Sequence, residues 1–347
     1  MPVIPPALAR SHPRRHSPLL ALACFCSIPL AFQDSGEGVL GVDAESEGPV
    51  RIEADGAPVL AYQAHRVALP AGFLAKIAEG NRIYAKPRSG YIHPLHGLDG
   101  EELTLDWSTD HPHHRGIYWA WPEVKFGETT GDLHALQHVY SRPVGEPALA
   151  RTEQHARIEA HNLWLWHDEQ PVVFERVAIT AWSPAADGSR RIDLDLQFEA
   201  LADGVSLARR DTNLYGGLNV RLAPVAGLKF DHHSQEATQA APARAWSATT
   251  GTWKGGKRVT TLAILEHPTN PDFPGDFITY EELPWFQPTF PRADTRYGLV
   301  RGKPLTLRYR FLILAGEADP KALAAACDAY AATELLPLQG ESTPSKQ

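Results

Sequence analysis

Arg-Ile-Asp-Leu-Asp-Leu-Gln-Phe-Glu, residues 191–199, is the stretch that decides the fold. Its apolar side chains alternate with polar ones, as in a β-strand with one face in the core and one in water. Residues 305–313 repeat the same period of two. Asp-Gly pairs at 55–56, 187–188 and 203–204 lie between such runs and favour tight turns, because both residues tolerate positive φ. The sequence therefore predicts an all-β fold, a large antiparallel β-sandwich.

One segment near the end carries the signals of a helix start. Asp319 is suited to the N-cap, Pro320 to the first helical position, and the residues that follow are rich in alanine. We expect a single C-terminal helix over residues 319–334, packed on the outside of the sheets. No linker or change of composition divides residues 38–335, so we predict one domain there, followed by a loose polar tail over residues 336–347.

The first 33 residues are typical of a secretory leader. They contain three arginines and no acidic residue, and end in the apolar run 19–32. That run is shorter than the roughly 20 residues of a membrane span, and no longer one follows, so we expect no transmembrane segment in the mature chain. The leader predicts a periplasmic or secreted protein, with lipid attachment at Cys24 as the less favoured alternative.

Charge and cysteine content narrow the class of protein further. The chain has 33 basic and 41 acidic residues, a net charge of −8; without the three leader arginines the balance is 30 against 41, or −11. Nucleic acid is therefore not an expected partner. Loss of the leader leaves Cys327 without a cysteine partner, and we expect it to be a small buried residue in a core that needs no disulfide.

Segment 110–116, Asp-His-Pro-His-His-Arg-Gly, concentrates chemistry in seven residues. The proline restricts His111 to an extended conformation. If the segment continues as a strand, His111 and His113 face one spot and His114 faces the other side. Two imidazoles beside a carboxylate and a guanidinium are more than structure alone requires, so we predict a functional site here.

Three uses of this segment are open. The histidines are structural, or they bind a divalent metal ion through His111 and His113, or they transfer protons without a metal. We favour proton transfer, because an imidazole with a pKa of ~6.5 exchanges protons near neutral pH. Asp110 would then orient the base, and Arg115 would bind a substrate oxygen. The candidate catalytic residues are His111, His113, His114 and Arg115.

Further polar and aromatic residues are candidates for substrate binding. Two tryptophans share one face of the strand pattern 117–121 and suit the apolar face of a sugar ring, although a core position is an equal alternative. His-Pro motifs at 93–96 and 267–271 place other histidines in extended segments or rigid turns. The candidate substrate-binding residues are His93, His96, Asp110, Trp119, Trp121, His267 and Asn270.

Four blocks of sequence resemble a known family. YIHPLHGLDGEELTLDWSTDHPHHRGIYWAW at 91–121, DTNLYGG at 211–217, TLAILEHPTNP at 261–271 and the strand pattern 305–316 resemble the PmoA-like family, whose members have been labelled "methane oxygenase PmoA". Methane chemistry is not carried over, because the chain lacks the long apolar spans of a membrane oxygenase. The resemblance implies a β-sandwich protein of carbohydrate-using bacteria.

A weaker similarity points to the same class of fold. His-His-Arg-Gly at 113–116, followed by two tryptophans, is similar to the sugar cleft of galactose mutarotase-like supersandwich proteins. We therefore expect an exported, carbohydrate-active protein with a saccharide or glycoside ligand, acting as a histidine-based lyase, epimerase or hydrolase. A non-catalytic sugar-binding protein and a histidine-bound copper or iron oxidoreductase are the alternatives.

Overall fold

Antiparallel strands dominate the computed structural model, which describes residues 39–233 and 244–337. The expected leader, Cys24 within it, and the expected tail beyond residue 337 lie outside the described residues. The first strands are β1 (Leu40–Ala44), β2 (Val50–Ala54), β3 (Ala57–Tyr62), β4 (Ile92–Leu95), β5 (Ile117–Ala120), β6 (Glu123–Phe126), β7 (Thr129–Gly131), β8 (Val139–Pro143), β9 (Ala148–Arg151), β10 (His155–Trp166) and β11 (Gln170–Trp182).

The remaining strands continue this pattern to residue 315. They are β12 (Arg190–Ala200), β13 (Val205–Ala208), β14 (Gly217–Arg221), β15 (Val225–His232), β16 (Trp246–Trp253), β17 (Thr260–Glu266), β18 (Phe277–Tyr280), β19 (Trp285–Pro288), β20 (Tyr297–Gly298) and β21 (Leu305–Ala315). One α-helix, α1 (Pro320–Ala331), and short 3-10 helices at Phe73–Ala75, Glu79–Tyr84 and Arg210–Thr212 complete the described elements.

Within the described residues the strands form three sheets. The eight-stranded sheet has the order β1-β2-β3-β4-β5-β14-β19-β18. The nine-stranded sheet has the order β15-β16-β17-β21-β12-β11-β10-β8, with β9 paired to β10. A smaller sheet has the order β20-β13-β6-β7. The pairings are antiparallel, which confirms the all-β antiparallel prediction.

The main core lies between the two large sheets. Ile52 and Leu60 of the eight-stranded sheet belong to the same buried cluster as Ile158 and Leu194 of the nine-stranded sheet. The two stretches that predicted strands are neighbours in the latter, with Leu194 opposite Tyr309. Their alternation therefore reflects a real division between the core face and the opposite face.

Helix α1 covers the opposite face of the nine-stranded sheet. In β17, Leu262 and Ile264 point into the main core, whereas Ala263 and Leu265 pack with the buried residues of α1. Asp319 caps the helix by accepting a hydrogen bond from the Lys321 backbone N–H at 3.0 Å. The predicted helix, its cap and its outer position are confirmed, and Cys327 is buried in this layer as expected.

The Asp-Gly pairs have two different roles. Asp55-Gly56 joins the paired strands β2 and β3, and Asp187-Gly188 joins β11 to β12. Asp203-Gly204 instead leads from β12 to β13, which belongs to the small sheet. The same turn chemistry therefore makes both hairpins and a passage between sheets.

Candidate functional site

Segment 110–116 is a turn, not an extended strand. The His114 backbone N–H donates to the carbonyl of His111 at 2.9 Å, which reverses the chain at the proline. The rings of His113 and His114 consequently lie 4.6 Å apart, and those of His111 and His114 stack at 4.8 Å. The expectation that His114 faces away from the other two is therefore wrong, because alternation holds only while the chain stays extended.

Gly116 closes this turn in a position that no other residue fits. Its φ is +62°, and a Cβ there would collide with the carbonyl oxygen of Ile92 and lie 2.8 Å from Cβ of His93. The glycine thus allows the histidine segment to pack directly on β4.

Gly116→Ala is expected to destabilise the protein by about 3 kcal/mol. Holding an alanine in the left-handed backbone region costs ~1–2 kcal/mol, and the collision of its Cβ with β4 adds an overpacking cost of ~1–3 kcal/mol. Gly56→Ala is the matched control, since Gly56 has φ +73° but open space around its missing Cβ. Denaturant unfolding of both variants measures the difference. Equal losses of stability in the two variants would show that Gly116 does not pack tightly against β4.

A fourth histidine joins the cluster from another part of the chain. His134 lies in the loop between β7 and β8, which backbone hydrogen bonds between Asp132 and Gln137 close at 2.8 Å. Its ring centroid is 5.6 Å from that of His113 and 5.7 Å from that of His114. One ring nitrogen from each of these three residues lies within 4.8 Å of the others. His134 was not among the predicted site residues, because its spacing of four from His138 would align the two rings only on a helix, and the segment is a turn.

Burial keeps the three inner histidines uncharged. It lowers the pKa of His113 to about 3, with neighbouring His111 and Arg88 adding to the effect. Burial likewise holds the pKa of His114 and of His134 well below the usual value. Protonation would place a charge in a site that already contains arginines, so these rings are neutral at physiological pH.

His111 has a different environment, at the edge of the cluster. Its side chain is 37% exposed, and its Nδ1 lies 3.2 Å from a carboxylate oxygen of Asp110. Arg221 holds that carboxylate from the other side at 2.8 Å. Partial burial alone would raise the pKa of Asp110, but the Arg221 guanidinium outweighs it and keeps the pKa below its usual value. The contact expected between Asp110 and one of the rings is thus present.

Arg115 anchors the segment from within the protein. It is fully buried, pairs with Asp106, donates to the Tyr91 hydroxyl at 2.5 Å and lies 3.6 Å over the Trp107 ring. The expectation that it binds a substrate oxygen is corrected, because its charge is already neutralised away from solvent.

Trp119 and Trp121 belong to the core, which corrects the expectation of a sugar-stacking surface. They are 4% and 0% exposed. Trp119 donates through Nε1 to buried Glu175 at 3.0 Å, and Trp121 packs edge-on against Phe198 at 5.3 Å. The opposite face of β5 carries Tyr118, whose ring lies 5.1 Å from that of His134. The alternation of side chains in this strand was predicted correctly. The face predicted to meet the histidines was the wrong one, since the face that meets them carries Tyr118 and not the tryptophans.

The histidines of the first His-Pro motif separate in the structure. His93 is half-buried beside Gly116, and its Nδ1 lies 3.1 Å from the Thr104 hydroxyl. His96 is in a turn, where its Nδ1 lies 3.0 Å from the carbonyl of Gly100. His93 therefore supports the histidine segment, whereas His96 serves its own turn.

His267 and Asn270 lie on the helix-covered side of the nine-stranded sheet. The His267 ring is 4.9 Å from that of Tyr330 in α1, and its Nε2 lies 3.0 Å from Arg308. Asn270 accepts from the Arg308 backbone N–H at 2.7 Å. The prediction that these residues bind substrate together with segment 110–116 is wrong, because the rigid turn directs them toward α1.

Glu266, beside this turn, makes stability depend on pH. Burial raises its pKa to about 7 from 4.5, so the folded state holds a proton that the unfolded state releases between those values. The free energy of unfolding is thus expected to fall, by about 3 kcal/mol from this group, as pH rises from 4.5 to 7. Glu266→Gln should flatten this slope in denaturant titrations at pH 5, 6, 7 and 8. If the pH dependence of the free energy of unfolding is unchanged in Glu266→Gln, another group causes it.

An open cleft of about 570 Å³ lies beyond two tyrosines that contact the histidine cluster, and none of the four clustered histidines lines it. Its wall includes the ion pair between Asp132 and Arg210, whose atoms lie 2.5 Å apart. Two half-buried tyrosines connect it to the cluster. The Tyr84 ring is 5.0 Å from that of His113, and the Tyr215 ring is 5.3 Å from that of His134. The cleft-lining residues are Tyr84, Pro122, Thr130, Gly131, Asp132, Gln137, His138, Arg210 and Tyr215.

Comparison with protein families settles the membership of the chain. A model described as a family of unknown function, DUF6807, matches residues 49–328. The chain belongs to this family. The DUF6807 match spans β2 to β21, the histidine cluster and most of α1, and its description assigns no activity. The likeness to PmoA-like proteins stays a resemblance of motifs.

Other comparisons with this DUF6807 protein add little. Comparison with curated proteins gives no match. Among solved structures, galactose 1-epimerase from Lactobacillus acidophilus NCFM is similar, with 9% identity and a TM-score of 0.34, over 82% of this chain and 100% of that one. Likeness at this level carries no conclusion about function. Among the described residues, no helix is both long and apolar enough to cross a membrane.

Proposed function

We propose that the protein is an enzyme that acts on a saccharide or glycoside by proton transfer, with the substrate in the cleft beside the histidine cluster. One observation carries the proposal. Four imidazoles, from segment 110–116 and from the loop of His134, converge in one cluster. Two tyrosines that contact this cluster also line the cleft, together with an ion pair. Convergence of titratable groups next to open space is the usual arrangement of an active site.

The cleft suits a small, polar ligand with apolar faces. Its volume of about 570 Å³ lies within the range of ~300–1,000 Å³ typical of small-molecule sites. Tyr84 and Tyr215 offer ring surface for the C–H face of a sugar, and Asp132 with Arg210 offers hydrogen bonds to hydroxyl groups. These tyrosines take the role that the sequence suggested for two tryptophans.

His111 is the group best placed to transfer a proton. It is the half-exposed member of the cluster, and the carboxylate of Asp110 beside its Nδ1 would fix the orientation of the ring. Arg221 in turn fixes the carboxylate. Epimerase, lyase and hydrolase chemistry all use such a transfer, and analysis of products distinguishes them.

Ligand-detected NMR with mono- and disaccharides, followed by chromatography of the products, tests the proposal. We expect at least one sugar to bind and to be converted, and Tyr215→Ala to weaken binding about tenfold through lost ring contact. Tyr297→Ala, a half-buried tyrosine that packs on Phe290 and does not line the cleft, is the control. Absence of binding contradicts the proposal; binding without conversion supports a non-catalytic sugar-binding protein instead.

We also propose that the protein is exported. The support is the arginine-containing, acid-free segment 1–33 with its apolar run. Fractionation of expressing cells should place a shortened chain in the periplasm or medium, whereas a full-length cytoplasmic pool contradicts export.

A further inference from the structure

We infer that His113, His114 and His134 form a binding site for one divalent transition-metal ion of the zinc and copper class, with a position left for water or substrate. The inference concerns the same histidine cluster as the proposed function. It rests on the proposed function only in placing the ion beside the substrate cleft. Metal binding is measurable without any sugar, so failure of one proposal is distinguishable from failure of the other.

Geometry is the first support. One nitrogen from each ring lies within 4.8 Å of the others. Zinc–nitrogen bonds of ~2.0–2.1 Å in a tetrahedral site place ligand nitrogens about 3.4 Å apart. Ring rotations that shift each nitrogen by about 1 Å would therefore close the set around an ion, with no rearrangement of the sheets.

The second support is unpaired nitrogen atoms in the interior. Nδ1 of His113 and Nδ1 of His114 are buried and have no hydrogen-bond partner within the described part of the chain. His114 itself is only 2% exposed. Buried polar atoms are normally hydrogen-bonded, because leaving one unpaired costs free energy. Coordination by a metal ion would satisfy these atoms.

Asn219 supplies the third support, since it fixes the third ring. Its Nδ2 donates to the Gly217 carbonyl at 2.7 Å, which turns its Oδ1 toward His134. That oxygen lies 3.2 Å from Nε2 of His134 and can only accept, so Nε2 carries the proton and Nδ1 keeps a lone pair. A histidine oriented by an amide or carboxylate oxygen is the usual support behind a metal ligand.

The character of the donors selects the ion. The set contains three imidazoles and, among described residues, no carboxylate or thiolate within it. Imidazole suits zinc, copper, nickel and iron, whereas magnesium and calcium prefer oxygen. Nearby Arg210 and Arg221 are each paired with a carboxylate, and Arg88 donates to the carbonyls of Leu133 and His134. These pairings leave the arginines engaged with other groups, so they do not compete for the imidazole nitrogens.

Metal content and spectroscopy of the whole protein test the inference. After chelator treatment and dialysis, we expect one equivalent of Zn²⁺ to bind in calorimetry and to raise the Tm. Zinc-edge X-ray absorption should show about three imidazole nitrogens near 2.0–2.1 Å. If the spectrum shows only water oxygens around the zinc, or if no zinc binds, the inference is overturned. This test needs only the parent protein, so it holds even if every variant fails to fold.

Variants then locate the ion. His113→Gln should abolish binding, and Asn219→Leu should weaken it roughly 10–100-fold, with binding restored in Asn219→Asp, which keeps the acceptor. The control is His167→Gln, because His138 and His167 form a separate exposed pair whose Nδ1 atoms are 3.5 Å apart. Binding that survives His113→Gln but is lost in His167→Gln places the ion at the exposed pair and overturns the inference.

Discussion

Replacing His111 by alanine is expected to lower kcat for saccharide conversion by a factor of about 10²–10⁴, the usual effect of removing a positioned acid–base group. The ring is half-exposed and sits at the edge of the cluster, so stability should change little. A loss of rate without a loss of Tm therefore identifies chemistry and not folding. Steady-state kinetics on whichever sugar the screen identifies gives the measurement.

Two further variants sharpen this experiment. Asp110→Asn keeps the shape beside His111 but removes the carboxylate that orients its ring, so kcat should fall by less than in His111→Ala. His155→Ala removes a partly buried histidine that contacts Thr152 and Trp182, and should leave kcat unchanged. Full activity in His111→Ala would exclude proton transfer by this residue.

Glu175→Ala is expected to reduce the free energy of unfolding by about 3–5 kcal/mol, because three buried neutral donors lose their acceptor at a cost of ~1–3 kcal/mol each. Glu175 accepts hydrogen bonds from Trp119 Nε1 at 3.0 Å, Asn162 Nδ2 at 2.9 Å and Trp164 Nε1 at 2.5 Å. Truncation leaves three buried donors unpaired and opens a cavity between the two large sheets. Burial raises the pKa of this carboxyl, and the three donors favour its ionised form.

Denaturant unfolding measures this loss against two references. Glu175→Gln keeps one acceptor oxygen and should lose less than alanine does. Glu169→Ala, in the exposed turn between β10 and β11, should stay within about 0.5 kcal/mol of the parent. A loss below about 1 kcal/mol in Glu175→Ala would show that water replaces the missing acceptor.

Local patterns predicted the elements of this fold well. Alternation in residues 191–199 and the cap at Asp319 depend on neighbours in sequence, so both are visible before folding. Strand β5 shows the limit. All four of its residues are buried, so period two divides its faces without telling which face meets the core and which meets the histidines.

The details of the candidate site could not be predicted, because they depend on contacts between residues that only the folded chain brings together. Arg115 forms an ion pair with Asp106 and a hydrogen bond to the Tyr91 hydroxyl, and the meeting of both partners at one guanidinium is a result of tertiary packing. His134 enters the cluster through a loop with no motif of its own. The dense histidine motif was enough to locate the region of the site. Which residues form the site, and what each of them contacts, could be read only from the folded structure.

The two sources of the histidine cluster have a practical consequence. His113 and His134 lie on opposite sides of β5, β6 and β7 in the chain, so anything that binds both rings acts as a reversible cross-link in a domain whose described cysteine, Cys327, is unpaired. An occupant that binds only the folded state raises the melting temperature, and the stabilisation grows with the logarithm of its concentration divided by Kd. A thermal-shift screen of ions and sugars thus works as an assay for an unknown ligand before any reaction has been identified.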